Sequence, residues 1–286
     1  MNLLPVNLIL EGGAMRGMFT AGVLDAYDEQ NLLFEFVIGV SAGSCMGASY
    51  MSRQKGRSRH ITLTYRHDPR YLSWRNLLRE GNLFSAKFSY DDIPNKLVPF
   101  DYQTFEQSTQ RFVVVATDCA TGQAVYLKND TPEHKESMIQ AIRASASMPF
   151  ISKPVHVENM RLLDGGIADS IPVAYAMKTG HAKSVLVLTR PKGYHKKTIS
   201  SSGLFKFLMP CHPQLAKALY RRPELYNHAL SLAEKLANEG QCLIIYPPPE
   251  IKVSRFEGDL KKLDALYQAG YKAGLACAAK LNDFLA

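Results

Sequence analysis

Cysteine is scarce in this chain of 286 residues, and its pattern argues against two common uses of the residue. The five cysteines are Cys45, Cys119, Cys211, Cys242 and Cys277. Their number is odd and no two have Cys-x-x-Cys spacing, which argues against a disulfide framework and against a zinc site. The pattern therefore favours a reducing compartment, and we expect neither a metal nor another cofactor.

Long hydrophobic runs are absent as well. No uninterrupted apolar stretch reaches the roughly 18 residues that a membrane-spanning helix needs. The N-terminal segment has no basic residues, and Glu11 interrupts its apolar run early, so we expect no signal peptide. These features predict a cytoplasmic protein that contacts a membrane, if at all, only peripherally at its inner face.

Acidic residues are outnumbered by basic ones. The chain has 26 Asp and Glu against 34 Lys and Arg, a formal net charge of +8. A basic surface favours anionic partners, namely nucleic acids or membranes with anionic lipids. A nucleic-acid site would need basic residues clustered with aromatic ones, whereas Lys and Arg are dispersed along this sequence. We therefore expect no nucleic-acid partner and leave peripheral contact with an anionic membrane open.

Short apolar segments rich in β-branched residues alternate with helical patterns. Strands are predicted at 6–10, 34–40, 112–116, 124–127, 161–163, 184–188 and 243–246. Helices are predicted at 19–28 and 42–51, and a hairpin turn at Thr121-Gly122. This alternation indicates βαβ units, and hence an α/β protein with a mostly parallel central sheet covered by helices on both faces, a three-layer α/β/α sandwich.

The basic and serine-rich segment 195–202 is the best candidate for an internal boundary. We predict a catalytic domain at 1–195 and a mostly helical C-terminal region at 196–286, packed on the core and contributing a strand near 242–246. Helices in this region are predicted at 214–220, 223–238 and 260–285. Pro223 is expected in a first helical turn, where its missing N–H costs nothing.

The segment Gly39-Val40-Ser41-Ala42-Gly43 joins a predicted strand to a predicted helix. This is the context of a nucleophile elbow, in which a serine occupies a tight turn between small residues. The following helix presents backbone N–H groups and a positive dipole end to developing negative charge. Small residues also serve to pack helices on sheets, but the strand–turn–helix context favours Ser41 as a nucleophile.

A second glycine-rich loop, Glu11-Gly12-Gly13-Ala14-Met15-Arg16-Gly17, also follows a strand and precedes a helix. A Walker A loop is excluded because no Gly-Lys-Ser/Thr follows, and Ala14 breaks the dinucleotide fingerprint. Two interpretations remain, a turn for close packing and an oxyanion hole. The oxyanion hole fits better, because loops after neighbouring parallel strands open at the same edge of the sheet.

A serine nucleophile needs a base to accept its proton. In a triad of the usual hydrolase order the histidine follows the acid, so the candidates are His181 and His195. The sequence puts His195 in a lysine-rich loop and His181 after a helix, where we expect solvated side chains. Asp164, in Asp164-Gly165-Gly166 after a short apolar strand, is therefore the better candidate base, although Asp-Gly often marks only a turn.

Taken together, these motifs resemble those of bacterial patatin-like phospholipases over roughly residues 5–190. The loop from Gly12 to Gly17 resembles the oxyanion loop of that family, Gly39-Val40-Ser41-Ala42-Gly43 its nucleophile elbow, and Asp164-Gly165-Gly166 its aspartate motif. The segment Ala144-Ser-Ala-Ser-Met-Pro149-Phe150 resembles the block that precedes the aspartate. Thr117-Asp118 and Thr121-Gly122 resemble the central hairpin region.

The resemblance implies a serine acyl hydrolase for lipid esters, of the phospholipase A or lysophospholipase kind, with a Ser41–Asp164 dyad and no catalytic histidine. It implies an oxyanion hole made by backbone N–H groups of Gly12, Gly13 and Ala14, with help from Ala42. Ala14 stands where many members have glycine. Alanine still offers a backbone N–H, so the oxyanion role is expected to survive there if φ is negative. The charge of Arg16 is expected to turn away from Asp164, to pack the loop, form a salt bridge or meet a lipid phosphate.

Two other classes of function stay open. One is a general carboxylesterase or thioesterase with a Ser–Asp–His triad, and the other is a catalytically idle adaptor that binds lipid or protein. A membrane-contact hypothesis rests on Leu204-Phe205-Lys206-Phe207-Leu208-Met209, where aromatic and aliphatic residues flank a lysine. The same segment also suits a core helix or a subunit interface.

Overall fold

The computed structural model describes residues 3–131, 137–198, 205 and 212–285. The predicted boundary segment 195–202 is therefore described only to residue 198, and the 204–209 segment lies outside the described residues except for Phe205. One eight-stranded sheet forms the centre of the protein. Its strands are β1 (Leu4–Leu10), β2 (Phe34–Val40), β3 (Arg111–Asp118), β4 (Ala124–Lys128), β5 (Val155–Val157), β6 (Met160–Asp164), β7 (Ser184–Val187) and β8 (Cys242–Ile245).

Helices connect most of these strands. They are α1 (Gly17–Glu29), α2 (Ala42–Met51), α3 (Arg57–Tyr65), α4 (Trp74–Glu80), α5 (Tyr102–Gln107), α6 (Met138–Ser145), α7 (Val173–Ala176), α8 (Pro213–Asn238) and α9 (Leu260–Leu285), with a π-helix at Phe88–Leu97. Among the helices that the structure describes, none is long and apolar enough to cross a membrane.

The sheet has the order β5-β6-β3-β2-β1-β7-β8, and β4 pairs with β3. The pairs from β3 through β2, β1 and β7 to β8 are parallel, whereas β4, β5 and β6 pair antiparallel with their neighbours. Parallel strands of this kind are buried on both faces, which explains their continuous apolar sequences. The prediction of a mostly parallel α/β sheet is confirmed.

Two apolar cores lie on opposite faces of the sheet. Leu8 and Leu10 of β1 belong to a core that includes buried side chains of α1, α2 and α9. Ile9, which points to the other face because side chains alternate along a strand, belongs to a core with side chains of α7 and α8. The C-terminal helices α8 and α9 therefore complete both outer layers of the α/β/α sandwich.

The C-terminal helix α8 differs from its prediction. The sequence predicted two helices, at 214–220 and 223–238, with a break just before Pro223. In the structure Pro213–Asn238 is a single helix with Pro223 in its interior. Proline removes one backbone hydrogen bond and crowds the preceding turn, which usually ends a helix. Here Leu219 and Tyr226, one turn before and after, are both buried in the core, and their packing keeps the helix continuous. The three-residue strand β5 was also not predicted, because it is too short to show periodicity.

One edge of β3 is shared by two strands end to end. Val115 of β3 pairs with Val40, the last residue of β2, and the next residue, Ala116, pairs with Asp164, the last residue of β6. Strand β4 pairs with both Val115 and Ala116 and so occupies the other edge. Because β6 begins its pairing where β2 stops, the residues that follow Val40 lie next to Asp164.

Candidate active site

Ser41 occupies the turn between β2 and α2 in a conformation that L-residues rarely adopt. Its φ and ψ angles are 54° and −123°, and only 7% of its surface is exposed. A non-glycine residue held in such a region costs of order 1–3 kcal/mol and is typical of active sites. The turn is also tight, because a Cβ atom on Gly43 would overlap the carbonyl oxygen of Leu10. Gly39, two residues before the serine, lies within β2.

A serine that the sequence analysis did not single out holds this turn in place. The backbone N–H of Ser41 donates a hydrogen bond of 2.8 Å to the hydroxyl oxygen of Ser145, at the end of α6. That hydroxyl in turn donates to the carbonyl of Val115 in β3. Ser145 is fully buried. It belongs to the segment 144–150 that precedes the aspartate motif, and this was the only sequence signal for it.

Asp164 lies beside Ser41 as its strand pairing requires. The Ser41 hydroxyl donates a hydrogen bond of 2.7 Å to Oδ2 of Asp164. The other carboxylate oxygen, Oδ1, accepts a 2.7 Å hydrogen bond from the backbone N–H of Gly166, within the short 3₁₀ turn Gly165–Ile167. Two hydrogen bonds fix the main chain of Asp164. The Thr117 hydroxyl donates to the Asp164 carbonyl at 2.9 Å, and the Asp164 N–H donates to the Ser147 carbonyl at 2.8 Å.

Burial sets the acidity of this carboxyl group. Only 6% of Asp164 is exposed, and loss of hydration raises its pKa above the ordinary 3.8. The charge of Arg222 and the hydrogen bonds from Ser41 and Gly166, together with the charge of Arg255, oppose that rise. The net effect is a raised pKa, which makes the carboxylate a better proton acceptor than an exposed aspartate.

The glycine-rich loop runs against the serine. A Cβ atom on Gly12 would lie 2.7 Å from the Cβ atom of Ser41, so no larger residue fits there. Ala14 opens a 3₁₀ turn before α1, which begins at Gly17. Within the described part of the chain, the backbone N–H groups of Gly12, Gly13 and Ala14 donate to no protein acceptor.

The backbone of Ala14 does not meet the condition set for its oxyanion role. That role was expected to survive with a negative φ, but the φ of Ala14 is +49°, in the left-handed region that favours glycine.

A second anchor that the sequence analysis missed lies behind the loop. The buried carboxylate of Glu11 accepts hydrogen bonds from the N–H and hydroxyl of Thr189, at 2.6 and 3.0 Å, and the Thr189 hydroxyl is also 3.0 Å from the Gly12 carbonyl. This anchor supports the strained loop conformation at Ala14.

Ser41 lies at the junction of two cavities of different character. One is a polar cleft that contains the glycine-rich loop, Asp164 and several basic side chains, among them Arg16. The other is an apolar pocket lined by residues such as Met18, Ala42 and Met46. It shares Met46, Cys45 and Tyr90 with a further apolar pocket, so the two pockets adjoin, and together they are called here the apolar channel.

Arg16 does not form the salt bridge that the sequence analysis considered. Its side chain is 8% exposed and lines the polar cleft, and no carboxylate in the described ranges pairs with it. The charges that influence the pKa of Asp164 are instead those of Arg222 in α8 and Arg255 before α9. Neither arginine belongs to a motif, so no local sequence pattern indicates either of them.

The two candidate histidines do not line either cavity at the serine. His195 is exposed, with Nδ1 at 3.3 Å from the Gly193 carbonyl oxygen. His181 is not the solvated residue that we expected, because its side chain is only 11% exposed, beside Glu35 at 4.0 Å. Of the seven histidines in the described ranges, none lines the cleft or the apolar pocket at Ser41. Four cysteines within the described ranges are free, and those ranges contain no cluster of metal-binding side chains.

Several known proteins are similar to this chain. The uncharacterized protein YjjU of Escherichia coli is 27% identical over 96% of this chain and 78% of its own length. The lysophospholipase nte1 of Emericella nidulans is 25% identical over 97% of this chain, which spans only 18% of that protein. Among solved structures, VipD from Legionella pneumophila has a TM-score of 0.49 and 12% identity over 96% of this chain and 67% of its own.

Two family models match the chain. The model of a domain of unknown function, DUF6363, matches residues 212–286, which include α8, β8 and α9. The model of the patatin-like phospholipases matches residues 8–177, more than half of the chain, and includes the glycine-rich loop, Ser41 and Asp164. The chain therefore belongs to the patatin-like phospholipase family, a family of lipid-ester hydrolases, as its sequence motifs implied.

Proposed function

We propose that this protein is a serine acyl hydrolase that cleaves carboxylic esters of lipids through a Ser41–Asp164 dyad. The observation that carries the proposal is the 2.7 Å hydrogen bond from the Ser41 hydroxyl to the buried Asp164 carboxylate. The bond lies where an apolar channel meets a polar cleft. An ester of a fatty acid with a polar alcohol has an apolar acyl chain on one side of its carbonyl group and a polar alcohol on the other. Each part therefore matches one of the two cavities.

In the first step Asp164 accepts the Ser41 proton while the serine oxygen attacks the ester carbonyl. The raised pKa of Asp164 brings the acidity of the carboxyl closer to that needed for proton exchange near neutral pH. The strained turn holds the serine oxygen in one position, so little conformational freedom is lost on the way to the transition state.

The negative charge that develops on the carbonyl oxygen needs hydrogen-bond donors. The unpaired N–H groups of Gly12, Gly13 and Ala14 are candidates, together with the N–H of Ala42 at the start of α2. Each donor of this kind typically contributes about 10²–10³ in rate. The φ of Ala14 is positive and not negative as its role was expected to require, but its N–H has no acceptor among the described residues, so we keep it among the candidate donors.

Collapse of the tetrahedral intermediate then releases the alcohol, which takes the proton from Asp164, and leaves an ester between Ser41 and the acyl group. Water attacks this acyl-enzyme with Asp164 as base, and the fatty acid is released. The acyl chain occupies the apolar channel past Met46, and the alcohol occupies the polar cleft. The family and the name of the nte1 relative support a lipid substrate of the phospholipase or lysophospholipase kind.

The test uses a fluorophosphonate probe together with esterase assays on the full chain. We expect the wild-type protein to be labelled at Ser41 and to hydrolyse p-nitrophenyl esters and phospholipids. Ser41→Ala should abolish both labelling and hydrolysis, and Asp164→Asn should lower hydrolysis by about 10²–10⁴-fold. His181→Ala and His195→Ala should retain wild-type turnover.

Three results would contradict the proposal. Absence of labelling and of hydrolysis in the wild-type protein would point to the idle adaptor. Loss of turnover in a histidine variant with retention in Asp164→Asn would establish a triad. Hydrolysis of thioesters or short water-soluble esters alone would exclude a lipid substrate.

A further inference from the structure

The polar cleft beside Ser41 holds more positive charge than the dyad chemistry requires. Five basic side chains and two carboxylates line it. The basic residues, called here the cation cluster, are Arg16, Arg190, Lys196, Arg222 and Arg255. Within the ranges that the structure describes, no carboxylate forms an ion pair with any member of the cluster. Like charges brought together without counter-ions repel, so the cluster is suited to an anionic ligand.

The two carboxylates in the cleft are already engaged. Glu11 accepts its hydrogen bonds from Thr189, and Asp164 accepts from Ser41 and Gly166. Both keep their negative charge, because these donors are neutral, but the five basic side chains of the cleft outnumber the two carboxylates. The composition of the cleft therefore favours a ligand with net negative charge.

Arg16 is the member of the cluster that most clearly lacks a partner. Only 8% of its surface is exposed, and its Nε atom is a buried donor with no acceptor among the described residues. Burial and the charge of Arg190 lower its pKa to about 10. Leaving a buried charged donor unpaired costs several kcal/mol in general, so its place in the cleft wall points to a ligand that completes its bonding.

Lys196 and Arg222 are held in fixed positions next to the dyad. The backbone of Lys196 exchanges two 2.9 Å hydrogen bonds with the side chain of Asn227 in α8, and its Nζ lies 3.7 Å from the centre of the Tyr226 ring. Arg222, one turn earlier on α8, donates from Nε to the Gly166 carbonyl. Burial, followed by the charges of Arg222 and Arg255, lowers the pKa of Lys196, and the opposing charges of Glu11 and Asp164 do not cancel this effect.

We propose that the cation cluster binds a phosphate group on the alcohol side of the substrate, so that the preferred lipid is an acyl ester of glycerol phosphate with an uncapped, net anionic phosphate. Arginine and lysine together are the usual protein ligands of phosphate, and guanidinium groups match its oxygens in pairs. The apolar channel on the other side of Ser41 takes the acyl chain. This inference rests on the proposed function, because it specifies the substrate of the same site.

The test compares three lysolipids that carry the same acyl chain and differ only in the head group on glycerol. The head groups are a phosphate monoester, phosphocholine and a free hydroxyl. We expect wild-type kcat/KM to be highest for the phosphate monoester. The preference is the ratio of kcat/KM for the phosphate monoester to kcat/KM for the lysolipid with a free hydroxyl, which is a monoacylglycerol. Lys196→Gln and Arg255→Gln should each lower this ratio by about tenfold, because KM for the monoester rises. Arg221→Gln is the matched control, since Arg221 is the neighbour of Arg222 on α8 but is exposed and pairs with Glu224 at 3.7 Å.

The outcomes separate the two proposals. If no lipid ester is hydrolysed by the wild-type protein, the proposed function fails. If esters are hydrolysed but the three lysolipids are used equally, or Arg221→Gln changes the ratio as much as Lys196→Gln, the phosphate inference alone fails. Inhibition of monoacylglycerol hydrolysis by inorganic phosphate, without preference for the phosphate lipid, would show a site for free phosphate and would also overturn the inference.

Discussion

Ser145 accepts a hydrogen bond of 2.8 Å from the backbone N–H of Ser41, although 104 residues separate them. Through its own hydrogen bond to Val115, the same hydroxyl ties the strained turn to β3. Strand β3 also pairs with the last residue of β6, which is Asp164. One buried hydroxyl group therefore links the turn that holds the serine to the strand that pairs with the aspartate.

Removal of that hydroxyl should damage catalysis more than binding. In Ser145→Ala the N–H of Ser41 is left buried without an acceptor, which should lower the free energy of unfolding by about 1–3 kcal/mol. Displacement of the turn should lower kcat by about tenfold with little change in KM. Steady-state kinetics and urea denaturation measure the two effects.

Ser52→Ala is the control for Ser145→Ala, because Ser52 is similarly buried but its hydroxyl donates to Ser49 and Gln54 at the end of α2. We expect a modest loss of stability and normal kcat in this variant. Normal kcat in a folded Ser145→Ala protein would refute the positioning role of Ser145.

The glycine-rich loop should tolerate no side chain at position 12. In Gly12→Ala the new methyl group would lie 2.7 Å from the Ser41 Cβ and 2.8 Å from the Val40 carbonyl oxygen, so the loop must move away from the serine. Displacement of the proposed oxyanion donors should lower kcat by about 10²–10³-fold. Gly258→Ala is the control, because the nearest atom to its added methyl group is 3.5 Å away. Equal activity of the two variants would contradict this role of the loop.

Neutralisation of the base should stabilise the fold while it lowers activity. Because burial raises the pKa of Asp164, the folded state favours the protonated acid, and wild-type stability should fall as the pH rises from the ordinary value of 3.8 through the raised pKa. In Asp164→Asn the side-chain amide cannot ionise, and it still offers an oxygen to the Gly166 N–H. Over that pH interval the melting temperature of Asp164→Asn should therefore rise relative to that of the wild type.

The same raised pKa sets the acid limb of the activity profile. Wild-type kcat/KM should increase with pH through a pKa above 3.8, as Asp164 becomes a carboxylate able to accept the serine proton. Melting curves and activity profiles from about pH 4 to about pH 8 test both expectations. A melting-temperature difference between Asp164→Asn and the wild type that shrinks as the pH rises would show that the pKa is lowered, not raised.

The apolar channel should determine acyl-chain length. Met46 lines both apolar pockets, so Met46→Trp should fill the passage between them. We expect kcat/KM for p-nitrophenyl laurate and longer esters to fall about tenfold or more, while the butyrate ester is affected much less, because each buried CH₂ contributes about 0.8 kcal/mol. Met177→Trp, at an exposed position, is the control. A uniform loss for all chain lengths would argue against an acyl channel at this place.

The central sheet and the motif residues could be predicted from the sequence, for a physical reason. Strand β2 and helix α2 were predicted at their observed bounds, because a buried apolar strand followed by a tight small-residue turn has a strong local pattern. The Ser41 hydroxyl and the Asp164 carboxylate lie within 2.7 Å of each other, as the motif order implied. Their proximity follows from strand order, and strand order in a parallel α/β sheet is strongly restricted.

Other parts of the site have no local signal. Lys196, Arg222 and Arg255 come from three separate segments, and a single basic residue on a helix or loop looks like any solvated charge. The left-handed conformation of Ala14 contradicts the ordinary preference of alanine, so the residue type gives no indication of it. The continuity of α8 across its internal proline likewise depends on packing that only the folded protein supplies.

The sharing of one edge of β3 by β2 and β6 has a consequence for how this enzyme can diverge. The strands that lead to the nucleophile and to its base both pair with β3. Four members of the cation cluster, Arg190, Lys196, Arg222 and Arg255, lie after β7. On our assignment, most of the residues that select the substrate lie on a different length of chain from the residues that cleave the bond, and Arg16 in the glycine-rich loop is the exception. Exchange of the segment from 190 onward between relatives should then transfer head-group preference and leave the cleavage chemistry intact.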